Sequence, residues 1–340
     1  MSTRSDPGRF RRRRAVTAAA PPPPSAAPGA IGAKAAALRR LELDVTRRLD
    51  GLVSGDYLAS AAGPGSEPAT ARPYGPGDDA RRIDWSLTAR ALSPHVRTTI
   101  ADRELETWVV ADRSASLDFG TAHGEKRELV LAAVAAFGFL SIRAGNRLGV
   151  VATGGSDLVR YPARPGRIAL LAALSGLFDT PRQASGPSPA ADLHAALVRL
   201  ERTQVRRGQL VVISDFLDSS PWADPLRRLA LRHQVIAVHV SDPRELALPA
   251  VGMLTVVDPE TGAHLHVQTN SATLRARYAA AAEERHGRIR RSLLDAGAEQ
   301  LVLSTDRDWL VDIARFVGRR RTERPPARAV AATFMTGGRR

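Results

Sequence analysis

Glu106-Thr107-Trp108-Val109-Val110-Ala111-Asp112-Arg113-Ser114-Ala115-Ser116 joins a continuous apolar run to one acid and two hydroxyls spaced two apart. An apolar run without alternation suits a buried strand of a parallel sheet. Alternate residues of an extended segment point the same way, so Asp112, Ser114 and Ser116 can converge on one small cation. Hard divalent ions take oxygen ligands and keep several waters, so a sparse set of protein donors is enough. The same order of residues, an acid and then a serine after a strand, also serves simply to cap a following helix.

Gln209-Leu210-Val211-Val212-Ile213-Ser214-Asp215-Phe216 repeats the pattern, an apolar run ending in an acid. Ligands of open parallel sheets gather beyond the carboxyl ends of the strands, where the strand order reverses. Asp112 and Asp215 are therefore expected to meet at one sheet rim and grip one ion between them. From 106 onward the pattern predicts strands at 106–111, 147–152, 209–214, 234–240, 253–257 and 299–304. Helices are predicted at 125–143, 166–178, 190–203, 222–232, 271–296 and 307–318. Such alternation implies an α/β, doubly wound, mainly parallel sheet with right-handed crossovers. Helix 125–143 is apolar nearly all round and should be the most buried.

The chain has 340 residues, 44% of them hydrophobic, enough to bury a real core. Its net charge of +14 resides mainly in the ends. Residues 1–34 and 319–340 each carry +6, which leaves +2 for the body between them. Basic ends of this kind can dock on nucleic acid or an anionic surface. No aromatic residues interleave the arginines, so base stacking has no evident platform. Only Lys34 and Lys126 are lysines, and the Ala, Arg, Gly and Pro bias runs through the whole chain. The absence of cysteine excludes disulfides and thiolate metal sites. The longest apolar run, 129–142, is too short to span a bilayer, and a cytoplasmic location is expected.

Four segments are expected. Residues 1–33 form a disordered Pro/Arg-rich tail. Residues 34–103 form an N-terminal helix/β extension, with a helix over 34–50 and an exposed strand over 96–100. Residues 104–318 form the α/β domain, and 319–340 a basic disordered tail. Within the extension, Arg72-Pro73-Tyr74-Gly75-Pro76-Gly77-Asp78-Asp79-Ala80-Arg81-Arg82-Ile83-Asp84-Trp85-Ser86-Leu87-Thr88-Ala89-Arg90 begins with a Pro-Gly turn. Asp78 or Asp79 is expected to cap a short helix carrying Ile83 and Leu87. Asp78, Asp79, Arg81, Asp84, Trp85 and Arg90 form either ion pairs locking that helix under a buried Trp85 or a surface that faces a partner.

The run from Arg72 to Arg90, with Asp112-Arg113-Ser114-Ala115-Ser116 about twenty residues later, resembles the bacterial domain-of-unknown-function fifty-eight family, whose members look like von Willebrand factor A-type folds. The similarity covers roughly residues 36–318. It implies a metal-ion-dependent adhesion site, with Asp112, Ser114 and Ser116 as first-loop ligands, Asp215 as the third-loop acid, and Mg2+ as the ion. It also implies a protein-interaction or adaptor domain working with a MoxR-type AAA+ ATPase in chaperone-like assembly. Two departures stand out. The family's second loop offers a Thr in a Gly-Gly-Thr-Asp-Leu pattern, whereas Pro189-Ala190-Ala191-Asp192-Leu193 puts Ala191 there. Ser185, Ser188 and Thr180 are the candidate substitutes. A basic segment also stands where many members carry membrane helices.

No Gly-x-x-x-x-Gly-Lys-Ser/Thr loop, His-Glu-x-x-His or Gly-x-Ser-x-Gly elbow is present, and a non-enzymatic role is expected. The alternatives are a magnesium- or manganese-dependent hydrolase using Asp112 and Asp215, and nucleic-acid binding through the basic tails. Arg113 faces away from Asp112 and Ser114 and receives no ligand role. His264-Leu265-His266 puts two imidazoles on one face of an ordinary strand, without a third zinc ligand nearby.

Overall fold

The computed structural model describes residues 28–53, 70–75, 83–91, 93–98, 105–154, 158–181, 192–204, 206–257 and 263–322. A six-stranded sheet forms the centre, made of β3 (Glu106–Ala111), β4 (Arg147–Ala152), β5 (Val159–Arg164), β6 (Gly208–Ser214), β7 (Gln234–Ser241) and β10 (Glu299–Ser304). Its order is β10-β7-β6-β3-β4-β5, parallel except for the β4–β5 edge pair. This is the expected doubly wound, mainly parallel α/β sheet. The strand order reverses at β3, which lies between β4 and β6.

Helices cover both faces. On one side lie α1 (Pro28–Val53), α3 (Lys126–Arg143), α4 (Arg167–Asp179) and α9 (Trp309–Thr322). They bury Val45, Phe137, Leu174 and Phe316 against Val109 and Ala111. On the other side lie α5 (Leu193–Thr203), α6 (Ala223–Ala230) and α8 (Ala272–Asp295). They bury Leu197, Leu226 and Leu293 against Trp108 and Val110. Successive residues of β3 thus serve opposite cores, which is why its sequence reads as one apolar run. Helix α3 is buried over most of its length, as its all-round apolar sequence predicts. Gly149 in β4 leaves room for the Trp108 ring, because a Cβ there would stand 2.6 Å from it.

Several expectations change. The first helix begins at Pro28, inside the segment expected to be a disordered tail, and packs on the core through Val45. Helix α9 runs on to Thr322, so the first residues of the expected basic tail are helical; Arg320 pairs with Glu299. Strand β5 was missed because its pattern is that of an exposed, Pro-containing edge. Residues 253–257 do form a strand, β8 (Met253–Val257), but it pairs antiparallel with β9 (His264–Gln268) in a separate hairpin. In the extension, β1 (Thr70–Pro73) pairs with β2 (His95–Thr98). Asp84 caps α2 (Trp85–Ala91) by accepting from the Ser86 and Leu87 N–H groups, so Ile83 precedes the helix. Trp85 is 71% exposed, and Arg90 donates to the Ser86 carbonyl. Asp78, Asp79 and Arg81 lie outside the described residues, as do 1–27 and 323–340.

His239 of β7 is 2% exposed, rests on the His286 ring at 4.8 Å, and accepts from the Gln300 amide. Burial, reinforced by His286, lowers its pKa to about 4. The folded state therefore binds this proton less readily than the unfolded chain. Its contribution is present above about pH 6.5 and is lost as pH falls toward 4, by about 3 kcal/mol in total. Urea unfolding from pH 7 down to 4 is expected to show that decline in the native chain and a flatter profile in His239→Leu.

Candidate functional site

Three adjacent strands end together at the point where the sheet reverses. The Asp112 N–H continues the ladder by donating to the Ile213 carbonyl at 2.9 Å, and the Thr153 N–H donates to the Ala111 carbonyl. This places Asp112 after β3, Thr153 after β4, and Ser214 and Asp215 at the end of β6, side by side. The Asp112 carboxylate is 2% exposed and fully engaged. Its Oδ1 accepts from the Ser114 N–H (2.9 Å) and the Thr153 hydroxyl (3.0 Å), and its Oδ2 from the Ser214 hydroxyl (2.5 Å). Burial first, and the charge of nearby Asp215 second, push its pKa above the usual carboxylate value despite these donors. Ser114 and Ser116 bring their hydroxyl oxygens to 3.0 Å of each other beside it.

Asp215 is 1% exposed, and its presentation depends on a left-handed residue. Phe216 adopts φ 55°, a conformation that costs a non-glycine residue about 1–2 kcal/mol. Burial of its ring against Trp222, centroids 5.0 Å apart, offsets that strain. The turn closes through the Phe216 N–H on Ser214 Oγ and the Leu217 N–H on Asp215 Oδ1.

The other Asp215 oxygen carries what the sequence reading missed. Lys126 Nζ donates to Asp215 Oδ2 at 2.8 Å and to Glu245 Oε1 at 2.5 Å, with its side chain fully buried. Burial works against the ammonium, but the two carboxylates outweigh it and hold its pKa above the ordinary lysine value. Glu245, on the single turn α7 (Pro243–Leu246), also accepts from the Asp242 N–H. Burial raises the Glu245 pKa, with Lys126 opposing the shift. Lys126 is the first residue of α3, fixed there by the reciprocal bonds of Glu125 and Glu128. The sequence did hold a signal. In a chain with 49 basic residues, Lys126 is the only lysine of the sheet domain.

The four expected ligand residues thus come to one rim, but Asp215 already has a cation within hydrogen-bond reach. Arg113 points away, as expected, and donates to the Leu177 and Thr180 carbonyls at the end of α4. Burial, followed by the repulsion of Arg127, lowers its pKa to about 10. The Thr180 hydroxyl donates to the Gly176 carbonyl of α4. Ala191, Ser185 and Ser188 lie outside the described residues, while Asp192 caps α5 through the Ala195 N–H. His266 bonds the Thr255 hydroxyl within the hairpin, away from the rim. Among the described residues no helix is long and apolar enough to cross a membrane.

The donor set matches a divalent ion in kind. Asp215 and Glu245 share the one ammonium of Lys126, while the Asp112 carboxylate is met by neutral donors alone. Asp112, Ser114 and Ser116 present the hard oxygens such an ion prefers.

A family model described as "Protein of unknown function DUF58" matches residues 70–288. The chain is 49% identical over 287 residues to uncharacterized protein Rv1480 of Mycobacterium tuberculosis, covering 84% of this chain and 90% of that protein. An uncharacterized protein of Mycobacterium avium, MAV169, is 42% identical over 164 residues, or 48% of this chain and 95% of that one. Among solved structures, BatB from Bacteroides thetaiotaomicron matches with TM-score 0.40 and 13% identity over 64% of this chain and 99% of that chain. The SpRpn10 VWA domain matches with TM-score 0.34 and 11% identity over 62% and 94%.

One residue near the rim stabilises the whole loop layer. Asp242 accepts from the Thr121 N–H and hydroxyl, the Thr305 hydroxyl and the Arg244 N–H, all within 2.9 Å. Burial works to raise its pKa, but these donors outweigh it and hold the carboxyl below the usual range. Its stabilisation is therefore present above about pH 4 and lost as pH falls further. Asp242→Asn sets an amide against donors and is expected to cost about 2–3 kcal/mol by urea denaturation at pH 7.

Proposed function

Because the chain belongs to the DUF58 family and carries a von Willebrand factor A-like arrangement of its sheet, we propose that it is a non-enzymatic protein-interaction domain whose docking point is the rim formed by Asp112, Ser114 and Ser116. The observation that carries this reading is the convergence of the two serine hydroxyls, 3.0 Å apart, on the flank of a buried aspartate at the strand-order reversal. Asp112, Ser114 and Ser116 would hold Mg2+, while Asp215 stands behind them paired to Lys126. A bound ion with so few charged ligands supplies an electrophilic point that an acidic side chain of a partner can complete. The partner is a MoxR-type AAA+ ATPase, with this chain acting as its adaptor in assembly of client proteins. The exposed Trp85, beside the Asp84 cap, belongs to the surface that meets the partner.

Two experiments test this reading. In a pull-down with the purified AAA+ partner, the native chain is retained in Mg2+ and released by excess chelator. Asp112→Asn and the double variant Ser114→Ala/Ser116→Ala are expected to lose about ten-fold or more in affinity, the loss of one good charge-assisted contact. Equal retention of all forms with and without Mg2+ removes the ion from the interaction. Trp85→Ala is expected to weaken retention with a melting temperature within about 1 °C of the native chain, since exposed side chains contribute little to stability. A parallel drop in melting temperature would return Trp85 to a structural role.

A further inference from the structure

We infer that Lys126 is a tethered cation that takes up the charge of the third-loop acid, Asp215, and withdraws it from ion binding, so that the rim holds a divalent ion only through Asp112, Ser114 and Ser116. The inference rests on the reading above for the place of the ion, and it concerns how tightly that ion is held. Three observations carry it. The ammonium is fully buried and contacts Asp215 at 2.8 Å and Glu245 at 2.5 Å, so its charge is committed to these two carboxylates. It stands at the first position of a helix, where the aligned peptide dipoles disfavour a cation, and only its acidic partners account for its being there. Finally, the position departs from the composition of the chain. Among the described residues the buried basic groups are Arg113, which donates to the Leu177 and Thr180 carbonyls, and Lys126, and the one set between two carboxylates is the lysine. A compact ammonium with three freely oriented donors reaches two carboxylates inside a packed core, which a planar guanidinium of larger volume does not.

A built-in ammonium and a divalent ion compete for the same negative charge. With Lys126 in place, much of the Asp215 charge is met by a full positive charge, whereas the donors on Asp112 are all neutral and leave its charge for a metal. The site is thereby tuned to weak binding at the Asp112 rim, and occupation depends on the surrounding ion concentration or on an acidic partner that arrives with the ion.

The test uses the full chain and Mn2+ alone as the probe, with affinity read by calorimetry and stability by thermal melting. Lys126→Met is expected to bind Mn2+ about ten-fold or more tightly than the native chain, since one opposing unit charge has gone. Without metal it is expected to melt about 10 °C lower, because two buried carboxylates lose their cation. Saturating Mn2+ is expected to restore most of that loss while moving the native chain only slightly. Folding of Lys126→Met only in the presence of Mn2+ supports the inference equally. Asp215→Asn, in which Lys126 keeps Glu245, is expected to bind Mn2+ within about three-fold of the native chain, whereas Asp112→Asn loses binding. The inference is overturned if Lys126→Met binds no tighter than the native chain, if Asp215→Asn loses as much affinity as Asp112→Asn, or if none of the forms binds Mn2+. Binding by Lys126→Met but not by the native chain upholds it, and overturns instead the proposal that the native rim holds an ion.

Discussion

Carboxylates brought out of water at the edge of a sheet set the terms for everything around them. Asp112 and Asp215 are both essentially unexposed, and they stand close enough for one to raise the pKa of the other. A buried ionised carboxylate without compensation costs several kcal/mol. The fold meets that demand in two ways. Asp112 is surrounded by neutral donors from three strands, Ser114, Thr153 and Ser214. Asp215 receives a full positive charge from Lys126. The first solution leaves a net negative charge at the rim, and the second removes one from the interior.

The distinction explains why the two acids, equivalent in the sequence, are not equivalent in the molecule. Each ends a parallel strand, and each is followed by a turn that folds a backbone N–H onto its own side chain. What separates them is the helix that follows β3. The capping bonds of Glu125 and Glu128 fix the start of α3 so that its first side chain turns inward beneath β6. Glu245, from the turn after β7, then closes the pair into a bridge across loops that are far apart in the chain. Asp242 ties the same layer together from Thr121 to Thr305. The rim is therefore rigid because its charges and donors interlock, and the strained Phe216 persists because its ring is locked in the core beneath.

Much of this was legible in the sequence, for definite reasons. Strands 106–111 and 147–152 appear with the boundaries that their apolar runs suggest, because strands buried on both faces leave an unbroken hydrophobic signature. Asp112, Ser114, Ser116 and Asp215 share one rim because strand ends are local features and parallel topology brings them together. The edge strand β5 carried too few buried residues to announce itself. Strand β8 looked like a sheet member because five apolar-rich residues do not say which neighbour they pair with. The capping of α2 by Asp84 depended on choosing among three nearby aspartates, a choice made by where β2 accepts the Asp84 N–H through the His95 carbonyl.

The bridge from Lys126 to Asp215 and Glu245 belongs to a different class of information. Its members are 89 and 119 residues apart from the lysine, and nothing in local pattern or period couples them. Only the choice of residue type carried a trace. A chain that answers almost every need for positive charge with arginine keeps a lysine at the one place where the charge must be small, dry and shared between two acids. Arginine excels where a flat fork meets a carboxylate or a carbonyl edge, and Arg113 and Arg127 do that at the end of α4. A departure from compositional habit at a buried position therefore marks a geometric demand. At this rim, that demand lies at the boundary between a charge the protein supplies for itself and one it leaves to be supplied from outside.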